Sequence, residues 1–239
     1  MHGSRDAGPA VGAPAGPSWR EAIRDPSLTG LLVLQLLVIF VADPLAAEGF
    51  ALARSVTGVL VLIAMILVVA LSRRHLAILA VCASLATIVA SFVFQPVMMP
   101  TNAALLRRGG EVLAFGVATL VVLRAVVAPG PVTMSRLQGA IVVYLCIASL
   151  FAALFGIIWE LSPTAFSHLA TPVGGPRETA TLMYFSLATL TTVGFGDIVP
   201  VEPFARSLAV LEAAVGQVYM VMLVARLVAL QLEDRHRHH

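Results

Sequence analysis

Long apolar runs, almost free of charge, leave this chain few folds to choose from. A run of roughly 18 or more such residues is long enough to cross a bilayer as a helix. The sequence holds about six of them. They are approximately Leu28 to Leu45, Ala51 to Leu71, Leu76 to Phe94, Val112 to Val127, Leu137 to Ile158 and Phe204 to Leu232. Composition agrees: 59% of residues are hydrophobic and only 12% are charged, against about 25% charged in an ordinary soluble domain. The expected fold class is an all-α integral membrane protein with six transmembrane helices.

Several functions are disfavoured at once. A net charge of +2 gives no ground for nucleic-acid binding. Every Lys or Arg position is Arg. Cys82 and Cys146 lie inside apolar runs, so neither a disulfide framework nor an activated thiol is expected. No nucleophile–base pair and no metal cluster stands out. The reading is not an enzyme, and no cofactor is expected.

Residues 1–26 are rich in Gly, Pro, Ala and Arg and read as a cytoplasmic tail with one short surface helix near Trp19. Asp43-Pro44 is expected to end the first run. Basic residues, that run and Ala46-Ala47 also fit a cleaved signal peptide, but the run is long for a signal h-region. Arg73-Arg74 marks a tight corner. Gln95 to Gly110 reads as a loop, and Pro129-Gly130-Pro131 stops the fourth helix. The chain then divides into a tail (1–26), a four-helix unit (27–130), a two-helix unit (131–232) and a short tail (233–239). The final RHRHH reads as solvated tail. With both termini inside, Arg5, Arg20, Arg24, Arg73, Arg74, Arg136, Arg235 and Arg237 are cytoplasmic, as the positive-inside rule asks. Arg107-Arg108 is the dissenting pair.

Between the last two runs lies TTVGFGDIVP, residues 191–200. The 12 residues before it, 179–190, contain no helix breaker. At about 1.5 Å per residue they make a helix of about 18 Å, too short for a hydrocarbon core of about 30 Å. A short helix followed by non-helical backbone is re-entrant, tolerated at membrane depth only where it is buried in protein or lines water. The glycines then have a use. In an ordinary strand successive carbonyls point to opposite sides. Aiming them all one way needs alternate residues outside the usual φ < 0 region, which Gly allows and other residues resist by about 1–2 kcal/mol. Val193-Gly194-Phe195-Gly196 can therefore present a ladder of oxygens, with the Thr192 hydroxyl at its inner end. Stacked oxygens suit hard monovalent cations.

Thr-Thr-Val-Gly-Phe-Gly-Asp, residues 191–197, closely resembles the selectivity filter of the potassium channel superfamily. The resemblance covers about residues 137–232; the first four helices resemble the family only in number and position. It implies a homotetrameric, passive, potassium-selective channel with a re-entrant pore helix and filter between helices five and six. The backbone oxygens of Thr192, Val193, Gly194 and Phe195 would coordinate K+, and Gly196 would complete the outer mouth. Asp197 would sit behind the filter, paired with a pore-helix aromatic. Tyr184 and Phe185 lie where the family carries bracing aromatics. One departure is Ala188, where some members carry a carboxylate bonded to the filter aspartate. Gly216 matches the family's frequent inner-helix hinge, and also suits close helix packing. Gln217, Met220, Val224 and Val228 recur on one face, assigned to the inner cavity, with helix–helix packing as the alternative.

Glu212 lies deep in an apolar helix, where a carboxylate costs roughly 2.5–3.5 kcal/mol and needs a partner or a function. The expected partner is Ser186 or Thr189 on the pore helix; water in the outer vestibule is the alternative. Arg226 is expected to snorkel to the headgroups, and Glu160 to be an interfacial charge.

A voltage sensor needs several cations at three-residue spacing, because one charge crossing 100 mV yields about 2.3 kcal/mol. The fourth helix offers only Arg124 within its span, and no Asp or Glu lies between Val56 and Phe94. The resemblance thus implies a voltage-sensor-like unit without gating charges, and weak or no voltage dependence. With about seven residues after helix six, no soluble ligand domain is expected in the chain. The expected location is the cell membrane, as a multi-pass protein of a bacterial inner membrane, with lipids and K+ as partners. A less selective cation channel on the same scaffold and a subunit of a potassium uptake system are the alternatives. The uptake systems usually carry four degenerate filter segments in one chain, often with one glycine each.

Overall fold

The structure is a computed structural model. It describes residues 19–50, 75–93, 99–127, 134–169 and 177–237, together with Leu60, Ile63, Ala64 and Ile66. The long helices are α1 (Trp19–Leu37), continued by a wide π-helical turn (Val38–Ala42) and α2 (Asp43–Ala47), then α3 (His75–Val93), α4 (Pro100–Val127) and α5 (Met134–Leu161). A short strand β1 (Phe166–Ser167), the helix α6 (Glu178–Leu190), a strand β2 (Val199–Pro200) and the helix α7 (Pro203–Arg237) complete the order.

Among the described residues, four helices are long and apolar enough to span a membrane: Leu28–Ala47, Thr101–Val127, Arg136–Leu161 and Pro203–Arg226. The third apolar run forms α3. Most of the second run, the Arg73-Arg74 corner, Pro129-Gly130-Pro131, Gly174-Gly175-Pro176, residues 1–18 and the last two histidines lie outside the described residues.

Three expectations need correcting. The helix near Trp19 is not a separate surface element, because α1 runs without a break from Trp19 into the apolar span. Asp43-Pro44 does not end that span. Pro44 lacks an N–H and its ring crowds the carbonyl four residues back. The preceding π turn relieves this by widening the ladder, and the Asp43 N–H reaches the Val38 carbonyl. Ending the helix there would leave backbone groups without partners at membrane depth. Residues 100–110 are also helix rather than loop. Pro100 stands at the first position of α4, where a missing N–H costs nothing.

The helix α5 is the centre of the molecule. It packs against α4, α1 and α6, and Ala140, Val142, Val143, Ala148 and Phe155 on it are fully buried. Phe155 meets Phe166 and Phe185 in edge-to-face contacts with ring centroids 5.8 Å and 4.9 Å apart, a geometry that aromatic quadrupoles favour. By contrast α7 is apolar nearly all round and open, with Phe204, Val210, Val221 and Met222 all exposed. Such a helix belongs in lipid or against further protein. Its C-terminal part is tied down by Arg226, whose Nη2 donates to the Val127 carbonyl at the end of α4, 2.8 Å away. A cation suits the negative end of a helix, so Arg226 holds α4 rather than only reaching for headgroups.

Candidate ion-conduction site

The 13 residues of α6 extend about 20 Å, short of a bilayer core. The last carbonyls of a helix need donors, and the next residues supply them. The Thr192 N–H bonds the Thr189 carbonyl at 2.9 Å and the Val193 N–H bonds the Ala188 carbonyl at 2.9 Å. This is a Schellman motif, whose turning residue is usually Gly in the left-handed region. Here it is Thr192, with φ 60°. The Gly194 N–H adds a 3.2 Å bond to the same Ala188 carbonyl. The position without the carboxylate of some family members therefore contributes through its backbone.

The left-handed conformation then alternates: Thr192, Gly194 and Gly196 have φ of 60°, 56° and 78°, while Val193 and Phe195 between them do not. Alternation is what a one-sided row of carbonyls requires. Glycine adopts it freely; Thr192 is β-branched and does so under strain. Its hydroxyl receives a 3.2 Å hydrogen bond from Gln217 Nε2 on α7, so Gln217 faces the inner end of the filter. Residues 191–197 are all exposed in the single chain.

Beside this segment, Tyr184 contacts two residues at once. Its hydroxyl donates to Asp197 Oδ2 at 2.8 Å, and its ring stacks on Phe195 at 5.9 Å with 10° between planes. Asp197 Oδ1 accepts the Ile198 N–H at 3.1 Å. The bond to Asp197 is the main reason the Tyr184 phenol is raised above its usual range. Phe185 does not share the bracing role. Consecutive helical residues point about 100° apart, and Phe185 turns into the Phe155–Phe166 cluster of the core.

Glu212 is fully buried and contacts the Ser186 hydroxyl. Thr189 is not its partner; that hydroxyl bonds the Phe185 carbonyl at 2.8 Å. Ser186 also lies 2.7 Å from the Ala148 carbonyl on α5. Its single proton can satisfy one acceptor. Both contacts are satisfied together when the Glu212 carboxyl carries a proton and donates to Ser186. Glu212, Ser186 and Ala148 thus link α7, α6 and α5.

One turn further along, Gly216 is packed rather than free. A Cβ there would lie 2.3 Å from the Leu190 carbonyl oxygen. Tyr144 donates to that same carbonyl at 3.2 Å, and Tyr219 donates to the Ala140 carbonyl at 2.7 Å. Neither tyrosine stands out in the sequence; their only signal is a hydroxyl inside an apolar run, which needs a partner. Gln217, Met220, Val224 and Val228 are exposed along α7, on surface that the chain's own helices leave uncovered. The N-terminal end of α7 is fastened by β1 pairing antiparallel with β2, Phe166 opposite Pro200. Glu202 adds to this by accepting from Ser162 and, at 3.2 Å, from Thr164.

No curated protein and no solved structure matches the chain. A family model does match, over residues 137–231, and its description is Ion channel. That segment holds most of α5, all of α6, residues 191–197 and most of α7. Over residues 137–231 the chain is therefore similar to ion-channel domains, which supports a place for the protein in the potassium channel superfamily.

Proposed function

We propose that the chain conducts potassium passively and selectively across a cell membrane, as a homotetramer with both termini cytoplasmic and weak or no voltage dependence. The observation that carries this reading is the alternation of left-handed backbone at Thr192, Gly194 and Gly196, directly after a helix too short to span. Thr192, Val193, Gly194 and Phe195 supply the oxygens for K+, which is cargo rather than cofactor. Gly196 and Asp197 finish the outer mouth. One exposed ladder forms one wall, and about four copies close the ring around an ion, as the family does. Met220, Val224 and Val228 line the cavity below, with Gln217 at its top. Weak voltage dependence is supported by α4, where Arg108 is committed to ion pairs with Glu111 and Glu178 and Arg124 is the only basic residue between Val112 and Val127.

Purified protein in liposomes under opposed potassium and sodium gradients tests the reading, with Gly194→Ala alongside. A Cβ at Gly194 would meet no atom within 4 Å, so the substitution acts through backbone conformation. Potassium-selective flux that the variant loses is the expected result. Equal sodium and potassium flux overturns selectivity and leaves the less selective cation channel. Selective flux that survives in Gly194→Ala overturns the role of the filter backbone.

A further inference from the structure

The pore helix begins where two earlier helices grip it. Arg108, on the outer part of α4, is only 2% exposed. Its Nη1 donates to Glu111 Oε2 at 2.8 Å, and its Nη2 donates to Glu178, the first residue of α6. Glu178 is 1% exposed. Gly156 on α5 makes the room: a Cβ there would lie 2.6 Å from Arg108 Nε and 2.9 Å from Cζ. One residue before Glu178, Arg177 Nε donates to the Ala47 carbonyl at the end of α2, 3.1 Å away. Glu160, expected as an interfacial charge, is buried instead and lies within electrostatic reach of Arg108 and Glu178.

Charges so placed are costly to strand. A buried pair loses far more when one partner is removed than when both are, because the survivor keeps its desolvation cost without its attraction. The two partners belong to different units: Arg108 to the four-helix part, Glu178 to the pore helix. The helix between Glu178 and Leu190 is a stiff rod whose far end turns directly into the filter. A shift of α4 therefore moves the near end of that rod, and rigid elements joined by buried pairs are the kind of structure that carries such coupling.

We propose that Arg108 is a positioning residue for the filter. It docks α4 on the start of the pore helix, so that conduction depends on where the four-helix unit holds α4. This gives that unit a role without gating charges: it sets the filter mechanically. The dissent of Arg107-Arg108 from the positive-inside pattern has the same root, since Arg108 is a buried structural charge and not a topological signal.

The proposal rests on the conduction reading above, and single-channel recording of the full-length protein in planar bilayers tests it. Arg108→Gln and Glu178→Gln are each expected to change open probability by about tenfold or more, and the double Gln variant to fall no further than the worse single one. Arg108→Lys keeps the charge and should stay within about threefold of wild type. Gly156→Ala leaves every charge in place, displaces Arg108, and should shift open probability in the same direction as Arg108→Gln. Thermal melting of each tetramer is measured in parallel. Single variants with wild-type open probability overturn the proposal. So do effects that multiply in the double variant, and effects that merely follow the melting temperatures. A wild type that passes no potassium overturns the conduction reading and this proposal with it; a conducting wild type with unaffected variants overturns this proposal alone.

Discussion

Gly216 on α7 lies against the last carbonyl of α6 so closely that a Cβ would stand 2.3 Å from the Leu190 oxygen and 2.9 Å from Leu190 Cδ1. A backbone oxygen at a helix end cannot step aside, least of all one that also accepts the Tyr144 hydroxyl. The glycine is thus explained by close approach before any hinge is invoked. Gly216→Ala should destabilise the protein by about 1–3 kcal/mol per site, the usual range for overpacking, and lower potassium flux. Melting of the purified protein checks this. An unchanged melting temperature with altered gating would leave the hinge as the glycine's role instead.

Thr192 combines a left-handed backbone with a β-branched side chain, a pairing that costs about 1–2 kcal/mol against glycine. Strain of this kind persists where a side chain is needed, and here that side chain is the hydroxyl facing Gln217. Thr192→Gly should therefore raise the melting temperature by a few degrees while reducing potassium flux. Stability and conduction measured on the same preparation separate the two effects. Full flux in the glycine variant would mean that the hydroxyl contributes nothing to the inner site.

Four of the expected spans and the unusual backbone at Gly194 and Gly196 were legible because both are written in local pattern. Apolar runs mark helices long enough to cross, and paired glycines mark backbone that must leave the ordinary region. Thr192 was harder: its left-handed φ follows from the Schellman end of α6, where the helix geometry overrides the preference of a β-branched residue. Pro44 misled because a proline can sit inside a helix when the preceding turn widens. Tyr184 and Phe185 look equivalent side by side, yet the helical rotation sends one to Asp197 and Phe195 and the other to the core. Arg108 and Glu178 are 70 residues apart, and no periodicity connects them. Their pairing exists only once α4, α5 and α6 are packed.

Tyr184 holds Asp197 through its hydroxyl and Phe195 through its ring. Tyr184→Phe removes the first contact and keeps the second. Tyr184 is exposed in the single chain, where solvent screens the bond, so the loss shows in conduction rather than in stability. The expected phenotype is a filter that conducts selectively but stops conducting sooner during sustained recording. The pH dependence has a definite sign. The phenol donates to Asp197 only while protonated, and that bond raises its pKa above the ordinary value. Its contribution is fully present below about pH 10, the usual tyrosine value, and is lost as pH rises through the higher folded-state value. Wild type should therefore lose sustained conduction in strong alkali, and Tyr184→Phe should show no such transition. Identical alkaline profiles for both would rule out the Tyr184–Asp197 bond as the brace.

Glu212 poses the last question, because it stands fully buried in an apolar span with one oxygen on Ser186 and the other without a hydrogen-bond partner. An ionised carboxylate there would compete with the Ala148 carbonyl for the one proton of Ser186. A protonated carboxyl completes the chain instead, donating to Ser186 while Ser186 donates to Ala148. Glutamine reproduces that donor with an NH2 group and nearly the same shape. Glu212→Gln should therefore assemble, melt and conduct close to wild type, with the same response to pH. Glu212→Ala removes the donor and leaves a void between α6 and α7. It should cost about 2–5 kcal/mol, the range for large-to-small changes in a packed core, and weaken the support of the filter. Flux against pH for wild type and Glu212→Gln, with melting of all three proteins, decides the matter. A wild-type pH response that Glu212→Gln abolishes would show that the carboxyl ionises during gating, and the donor chain through Ser186 would then describe only one of two states.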